Sequence, residues 1–254
     1  MKLKQEVEIT RHYKDGTAER MKDEILIEYD FGIMLNDVLL VELLAIPKKL
    51  KELVVGYLYT ERMITSVEDI DSLIIDEEAC CARVRLKEAP ASAEEGAKVT
   101  TDSGDYRMVP YQFYSEEDLK PLARIEYKPQ TVLENFQKLM TGSDLFRNTG
   151  NVHSVLLCRG DEILYFAEDI GRFNAFDKAV GMALLDGVNL NECSLYTSGR
   201  IPSTIAMKAL RAGIPMIVSR SAPSDRTLAV AEKYNLCIIG FTKRDQFNVY
   251  HEQR

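Results

Sequence analysis

From residue 132 onward the chain alternates short apolar runs with longer stretches whose apolar residues recur every three or four positions. Strand-length runs fall at Ser154–Cys158, Glu162–Phe166, Ser194–Tyr196, Met216–Val218 and Cys237–Gly240. Helical periodicity marks Val132–Met140, Ala175–Leu185, Ser203–Ala212 and Ser224–Tyr234. Such a succession predicts a layered α/β unit with a mostly parallel sheet. Gly213-Ile214-Pro215 stops one helix just before a strand. In open α/β sheets ligands sit beyond the carboxyl ends of the strands. The polar clusters here follow strands and precede helices, so they are expected to meet at one edge.

The first half reads differently. Ile25-Leu26-Ile27 and Val38-Leu39-Leu40-Val41 flank the turn pair Asn36-Asp37, which predicts an antiparallel hairpin. Pro47 is placed to open a helix in which Leu50, Leu53, Val54, Tyr57 and Leu58 repeat at helical spacing. Val84 and Leu86 alternate with Arg83, Arg85 and Lys87, the pattern of a half-buried strand, and Ala89–Gly96 reads as a loop. A division at residues 1–128 and 129–254 follows: a smaller strand-rich domain with one helix and a flexible middle segment, then the α/β domain.

One junction stands out for chemistry. Glu168-Asp169-Ile170-Gly171-Arg172-Phe173-Asn174-Ala175-Phe176-Asp177-Lys178 gathers charged groups around a glycine between an apolar strand and an apolar helix. Glycine permits a tight turn, a helix start offers free N–H groups, and Arg172 adds a fixed positive charge; together these make an anion site. A capped helix with solvated charges explains the stretch alone about as well. Asp169 is placed to cap the helix entered at Gly171 or to pair with Arg172, Ser198 to cap the helix after Arg200, and Ser221 or Ser224 the next.

The net charge of −8 argues against broad nucleic-acid binding, and no apolar run approaches the length of a membrane span. The charged start, Met1 to Arg11, lacks a signal-peptide apolar segment, and five cysteines without disulfide spacing suit a reducing compartment. A cytoplasmic protein is expected.

Asn148-Thr149-Gly150-Asn151-Val152-His153-Ser154 lies upstream of the charged junction and Thr197-Ser198-Gly199-Arg200 downstream, followed by Ser219-Arg220-Ser221-Ala222-Pro223-Ser224 and Gly240-Phe241-Thr242-Lys243-Arg244-Asp245. In order and spacing, with Gly56-Tyr57-Leu58-Tyr59-Thr60-Glu61 in the first half, these motifs resemble the formate dehydrogenase accessory protein family, FdhD. The resemblance implies a cytidine deaminase-like larger domain with a smaller one attached. It implies delivery of sulfur to the molybdenum–bis(molybdopterin guanine dinucleotide) cofactor, with a cysteine desulfurase as donor and formate dehydrogenase or a related molybdoenzyme as client. A homodimer and GDP or GTP as surrogate ligands belong to the same expectation. Carried onto this chain, the ligand contacts would be Thr149, Gly150, His153, Asp169, Gly171, Arg172, Asn174, Asp177, Lys178, Ser198, Gly199, Arg200, Ser221 and Ser224. The segment Phe241, Thr242, Lys243, Arg244, Asp245 and Gln246 would join them, with Lys243 and Arg244 on the pyrophosphate. A core role for His153 remains equally open.

Deaminase chemistry does not follow from the fold. It needs a Pro-Cys-x-x-Cys pair and a His or Cys beside a catalytic Glu. This chain has no Cys-x-x-Cys, and its three histidines, His12, His153 and His251, show no metal-ligand spacing. The family persulfide motif, Cys-Gly-x-Cys-Gly, also departs here: Ser103 and Tyr106 stand at the expected cysteine positions in Thr100–Tyr106. Phe173 replaces a usual His, and Asn151 a usual glycine. A serine hydroxyl cannot carry a persulfide. Cys158, Cys193 and Cys237 fall in or beside apolar strand runs, so Cys80 and Cys81 are the remaining substitutes. Two readings stay open: a sulfurtransferase-type accessory factor, or a non-catalytic carrier or chaperone that binds a molybdenum cofactor or guanine nucleotide.

Overall fold

The computed structural model describes residues 1–88, 98–100, 106–108 and 119–254. The expected loop at Ala89–Gly96 and position Ser103 lie outside the described residues. Tyr106 begins a three-residue strand paired with Lys98–Thr100.

The chain opens with a two-stranded antiparallel ribbon, β1 (Lys4–His12) and β2 (Ala18–Leu26). A four-stranded sheet follows, ordered β4-β3-β6-β5 from β3 (Tyr29–Leu35), β4 (Val38–Ala45), β5 (Ile70–Asp76) and β6 (Cys81–Leu86). Asn36 and Asp37 form the β3–β4 turn, both at positive φ (48° and 67°), as a two-residue type I′ hairpin requires. The expected hairpin therefore forms, but Ile25 and Leu26 belong to the earlier ribbon, where they face Gln5 and Lys4. Helix α1 (Leu50–Thr60) covers one face of this sheet, and Leu53, Val54, Tyr57 and Leu58 join Phe31, Ile33, Val41 and Val84 in one core. It starts three residues later than Pro47 suggested, because Lys49 takes a left-handed conformation at the N-cap.

The strands β7 (Lys98–Thr100) and β8 (Tyr106–Met108) precede α2 (Pro129–Thr141) and α3 (Asp144–Thr149). Then come β9 (His153–Arg159), β10 (Glu162–Asp169), α4 (Arg172–Leu185), β11 (Ser194–Thr197), α5 (Ser203–Ala212), β12 (Met216–Ser219), α6 (Asp225–Tyr234), β13 (Cys237–Gly240) and β14 (Asn248–His251). Their six strands form one sheet ordered β10-β9-β11-β12-β13-β14. Only β11/β12 and β12/β13 pair in parallel, so the sheet is mixed rather than mostly parallel. The difference arises because β9 and β10 are joined by a tight Gly160-Asp161 connection, and a short link permits only an antiparallel neighbour.

Alternation along the strands divides the sheet's faces. Val155, Leu157, Leu195, Ile217 and Ile238 pack under α4, α5 and α6. Leu156, Cys158, Tyr196, Val218 and Ile239 pack under α2, through Val132, Phe136 and Leu139. Helices α1 and α4 cross in backbone contact: Gly56 lies over the carbonyl of Asp177, and Gly181 over the carbonyl of Glu52. Among the described residues no helix is long and apolar enough to cross a membrane.

Candidate functional site

The strand directions bring the polar motifs together. β9 runs antiparallel to β10 and β11, so its first residue, His153, lies beside the ends of both. The carboxyl ends of β12 and β13, at Ser219 and Gly240, reach the same edge. Hydrogen bonds then stitch one turn to the next. Ser198 N–H donates to Ser154 O at 3.0 Å, and Ser154 N–H donates to Ser198 Oγ at 2.9 Å. Ser219 Oγ donates to Gly199 O at 2.7 Å and accepts from Ser221 N–H at 2.9 Å. Thr242 N–H donates to Ser219 O at 3.1 Å.

A cavity of about 210 Å³ opens at this edge. Its walls are Ser143, Gly150, Asn151, His153, Ser154, Ser198 and Arg220 on the polar side, and Leu139, Met140, Phe146, Val152 and Ile170 on the apolar side. Among the described residues no carboxylate lines it. Gly199 packs tightly behind: a Cβ there would stand 3.3 Å from Arg172 Cβ and 3.5 Å from His153 Nδ1. Arg172 is half-buried with its guanidinium carbon 4.7 Å from the Phe173 ring centre, whereas Arg200 and Arg220 are exposed. Thr149 Oγ1 donates to Leu145 O, and Gly150, at φ +67°, ends α3 through an N–H donated to Phe146 O. Phe241 is exposed at φ +53°, with Lys243, Arg244, Asp245 and Gln246 exposed after it. Thr242 is buried, and its hydroxyl has no hydrogen-bond partner among the described residues.

The junction 168–178 divides its side chains between two tasks. Gly171 and Arg172 start α4 directly after the wall residue Ile170. Asp169, Asn174, Asp177 and Lys178 are buried and bonded inside the protein. Asp169 Oδ1 accepts from Gly171 N–H at 3.1 Å, which ties the turn before the helix, but no side chain caps α4, and the ion partner of Asp169 is Lys178 rather than Arg172. Burial pushes the Lys178 ammonium pKa down, against the pull of Asp169. Asp177 takes Lys208 at 2.9 Å. Ser198 does not cap α5: the N-cap is Pro202, because the turn after β11 runs longer than the sequence suggested and the Ser198 hydroxyl holds β9 instead. Ser224 caps α6, accepting from Thr227 N–H at 3.3 Å; Ser221 instead donates its own N–H to Ser219.

Sequence reasoning passed over Ser143, Asn151, Ser219 and Arg220 as site residues. The rule that ligands gather beyond strand ends would have reached Ser219 and Arg220, which immediately close β12. Ser143 carried no such signal, since α3 is only six residues long.

The thiols are poorly placed for nucleophilic work. Burial pushes Cys158 and Cys237 up to about 12 and Cys193 up to about 11. Cys80 is half-buried, and burial followed by the nearby Asp30 raises its pKa as well. Cys81 is buried. A thiolate is the reactive form, so these environments disfavour sulfur loading. Incubation with a cysteine desulfurase and cysteine at neutral pH is expected to add little or no sulfur mass per chain. Robust loading retained in a Cys80→Ala/Cys81→Ala double variant would refute the vicinal pair as substitutes. Robust loading lost there would refute their inertness. Among the described residues no group of three or more His, Cys, Asp or Glu could hold a metal ion.

Comparison with known proteins adds the kinship. The family model described as the FdhD/NarQ family matches residues 26–254. A protein named sulfur carrier protein FdhD from Bacillus subtilis (strain 168) is 31% identical over 247 residues, covering 95% of this chain and 94% of its own. The protein of the same name from Listeria innocua is 33% identical over 248 residues, covering 94% of each. A crystal structure assigned to a formate dehydrogenase accessory protein from Desulfotalea psychrophila superposes with a TM-score of 0.78 at 24% identity, over 98% of this chain and 97% of that one. With the family model spanning most of the chain, this protein belongs to the FdhD/NarQ family.

Proposed function

We propose that this chain is an accessory factor in formate dehydrogenase maturation that receives the molybdenum–bis(molybdopterin guanine dinucleotide) cofactor as cargo. The observation that carries the reading is the meeting of four strand ends, through His153, Ile170, Ser198 and Arg220, around a cavity that no carboxylate lines among the described residues. Family membership and relatives named as sulfur carriers support the pathway. A cytoplasmic location, a cysteine desulfurase as sulfur donor and a homodimer complete the proposal, as does a division into a small domain, 1–128, and a cytidine deaminase-like domain, 129–254.

Ligand pockets commonly span about 300–1,000 Å³. At about 210 Å³ the cavity fits one portion of a dinucleotide, with the remainder lying across the exposed rim. His153, Ser198 and Arg220 would bind inside or at the mouth. Gly171 and Arg172 would meet a phosphate at the start of α4, where free N–H groups favour anions. Arg200, Lys243 and Arg244 would hold the outer phosphates, with Thr149, Gly150, Gly199, Ser221, Ser224, Phe241, Thr242, Asp245 and Gln246 shaping the turns that carry them. The raised thiol pKa values and Ser103 favour a carrier that binds the cofactor over one that bears a persulfide.

GDP is the direct probe. Calorimetry should detect its binding by the wild type, and Arg172→Ala and Arg200→Ala should each weaken it by about 1.5–3 kcal/mol, the range for charged hydrogen bonds to phosphate. No binding by the wild type, or unchanged affinity in both folded variants, would overturn the reading.

A further inference from the structure

The charged junction gives the cavity one wall residue, Ile170, places Arg172 beside Gly199, and turns three other side chains toward a single segment of the first half. Asn174 Nδ2 donates to Leu44 O at 2.8 Å. Ile46 N–H donates to Asp169 Oδ2 at 3.4 Å, and Lys178 Nζ donates to Ile46 O at 3.3 Å and to the same Asp169 oxygen. The other oxygen, Asp169 Oδ1, accepts from Gly171 N–H at 3.1 Å and from Asn174 Nδ2 at 3.2 Å. One buried carboxylate thus holds the turn that launches Arg172 with one oxygen and the segment after β4 with the other.

The gripped segment reaches the cavity from behind. Ile46 is fully buried in a cluster with Leu145, Val152 and the partly buried Ile170. Val152 and Ile170 are cavity walls. Two residues on, Lys48 Nζ lies 3.7 Å from Glu168 Oε2, and Glu168 Oε1 accepts from Ser143, another wall residue. A buried Lys–Asp pair is weak evidence for stability, because apolar replacements of similar size often do as well. Bonding the backbone of a distant segment at both N–H and C=O is something apolar replacements cannot do.

We propose that Asp169, Asn174 and Lys178 are positioning residues: by clamping the backbone of Leu44–Ile46 they set the cavity wall and the Arg172 turn, so that seating of this segment and ligand binding at the sheet edge are coupled. The ligand part of the proposal rests on the anion-binding reading of that edge. Coupling of this kind is reciprocal, so a bound anion in turn protects the segment.

The test uses the full chain in three forms: wild type, Asn174→Ala, and Thr60→Val as a control at a second buried polar cluster, where the Thr60 hydroxyl bonds Asp177 and Lys208 and none of the three lines the cavity. Asn174→Ala should raise amide hydrogen exchange roughly tenfold in the 44–47 segment (at Leu44, Ala45 and Ile46, since Pro47 has no N–H) and also at 150–154, and should weaken GDP binding roughly tenfold. Bound GDP should slow exchange at 44–47 in the wild type. Thr60→Val should lower the thermal midpoint while leaving exchange at both segments and GDP affinity unchanged. Faster exchange confined to 44–47, with wild-type GDP affinity, would overturn the proposal. If the wild type binds no GDP, the anion-binding reading fails by itself; joint loosening of 44–47 and 150–154 then still sustains the clamp on the wall, and loosening of 44–47 alone overturns it. Should Asn174→Ala not fold, Ile46→Val removes one methyl group at the wall contact, and the two segments should again loosen together.

Discussion

Gly181→Ala is expected to destabilise the protein by about 3 kcal/mol or more, against the sign that helix propensity alone would give. In an exposed helix, replacing glycine by alanine gains about 1 kcal/mol. Here a Cβ would stand 1.9 Å from the carbonyl oxygen of Glu52 and 2.9 Å from Gly56 N. Both neighbours are backbone of α1, so no side-chain rotation relieves the overlap, and the two helices must separate. Gly56→Ala meets the reciprocal obstacle, with its Cβ 1.8 Å from Asp177 O. Overpacking of well-packed cores typically costs about 1–3 kcal/mol, and overlap with rigid backbone lies at or beyond the top of that range. For a chain of this size the loss corresponds to roughly 6–12 °C in thermal midpoint. Calorimetric unfolding of the two variants checks it; an unchanged or raised midpoint in both would mean that the helices do not meet so closely.

That crossing also shows what the sequence could and could not reveal. Periodicity locates α1 through Leu50, Leu53, Val54, Tyr57 and Leu58, and α5 at Ser203–Ala212, because each helix buries one stripe against a local core. Gly56 and Gly181 look like weak points in their helices until the partner is known, since close approach is a property of two elements. The mixed sheet was similarly hidden. The strands β9 to β13 were legible as apolar runs, but the direction of β9 depends on a two-residue connection that carries no apolar signal. The site was half legible. Polar residues after strands pointed to the correct edge, yet the density of charge at 168–178 does not tell which groups face a ligand. Asp169, Asn174, Asp177 and Lys178 face inward because the first half of the chain supplies their partners from Leu44, Ile46, Thr60 and, beyond it, Lys208.

Lys208→Met is expected to destabilise the fold by about 3–5 kcal/mol at neutral pH, the usual cost of removing one partner from a buried ionic group. Lys208 Nζ lies 2.9 Å from Asp177 Oδ2, 3.0 Å from Glu61 Oε1 and 2.7 Å from Thr60 Oγ1, and Arg211 Nη1 donates to Glu61 Oε2 at 3.4 Å and to Thr60 O at 3.1 Å. Among the described residues the two cations and two carboxylates of this cluster balance, and α1, α4 and α5 each contribute. Burial already pushes the Asp177 carboxyl above its ordinary value, with Lys208 opposing the shift. Without Lys208 that opposition vanishes, so the folded state holds a proton that the unfolded state releases. The deficit is therefore full above the raised folded pKa and shrinks as pH falls toward the unfolded carboxylate value. Adding Asp177→Asn to Lys208→Met should recover part of the loss at neutral pH, because the stranded charge is gone, and should flatten the pH dependence. Denaturant unfolding of the wild type, both single variants and the double variant from pH 5 to pH 8 gives the coupling directly. A strictly additive double variant, or a Lys208→Met deficit that grows as pH falls, would show that Asp177 and Lys208 do not share a buried charge balance.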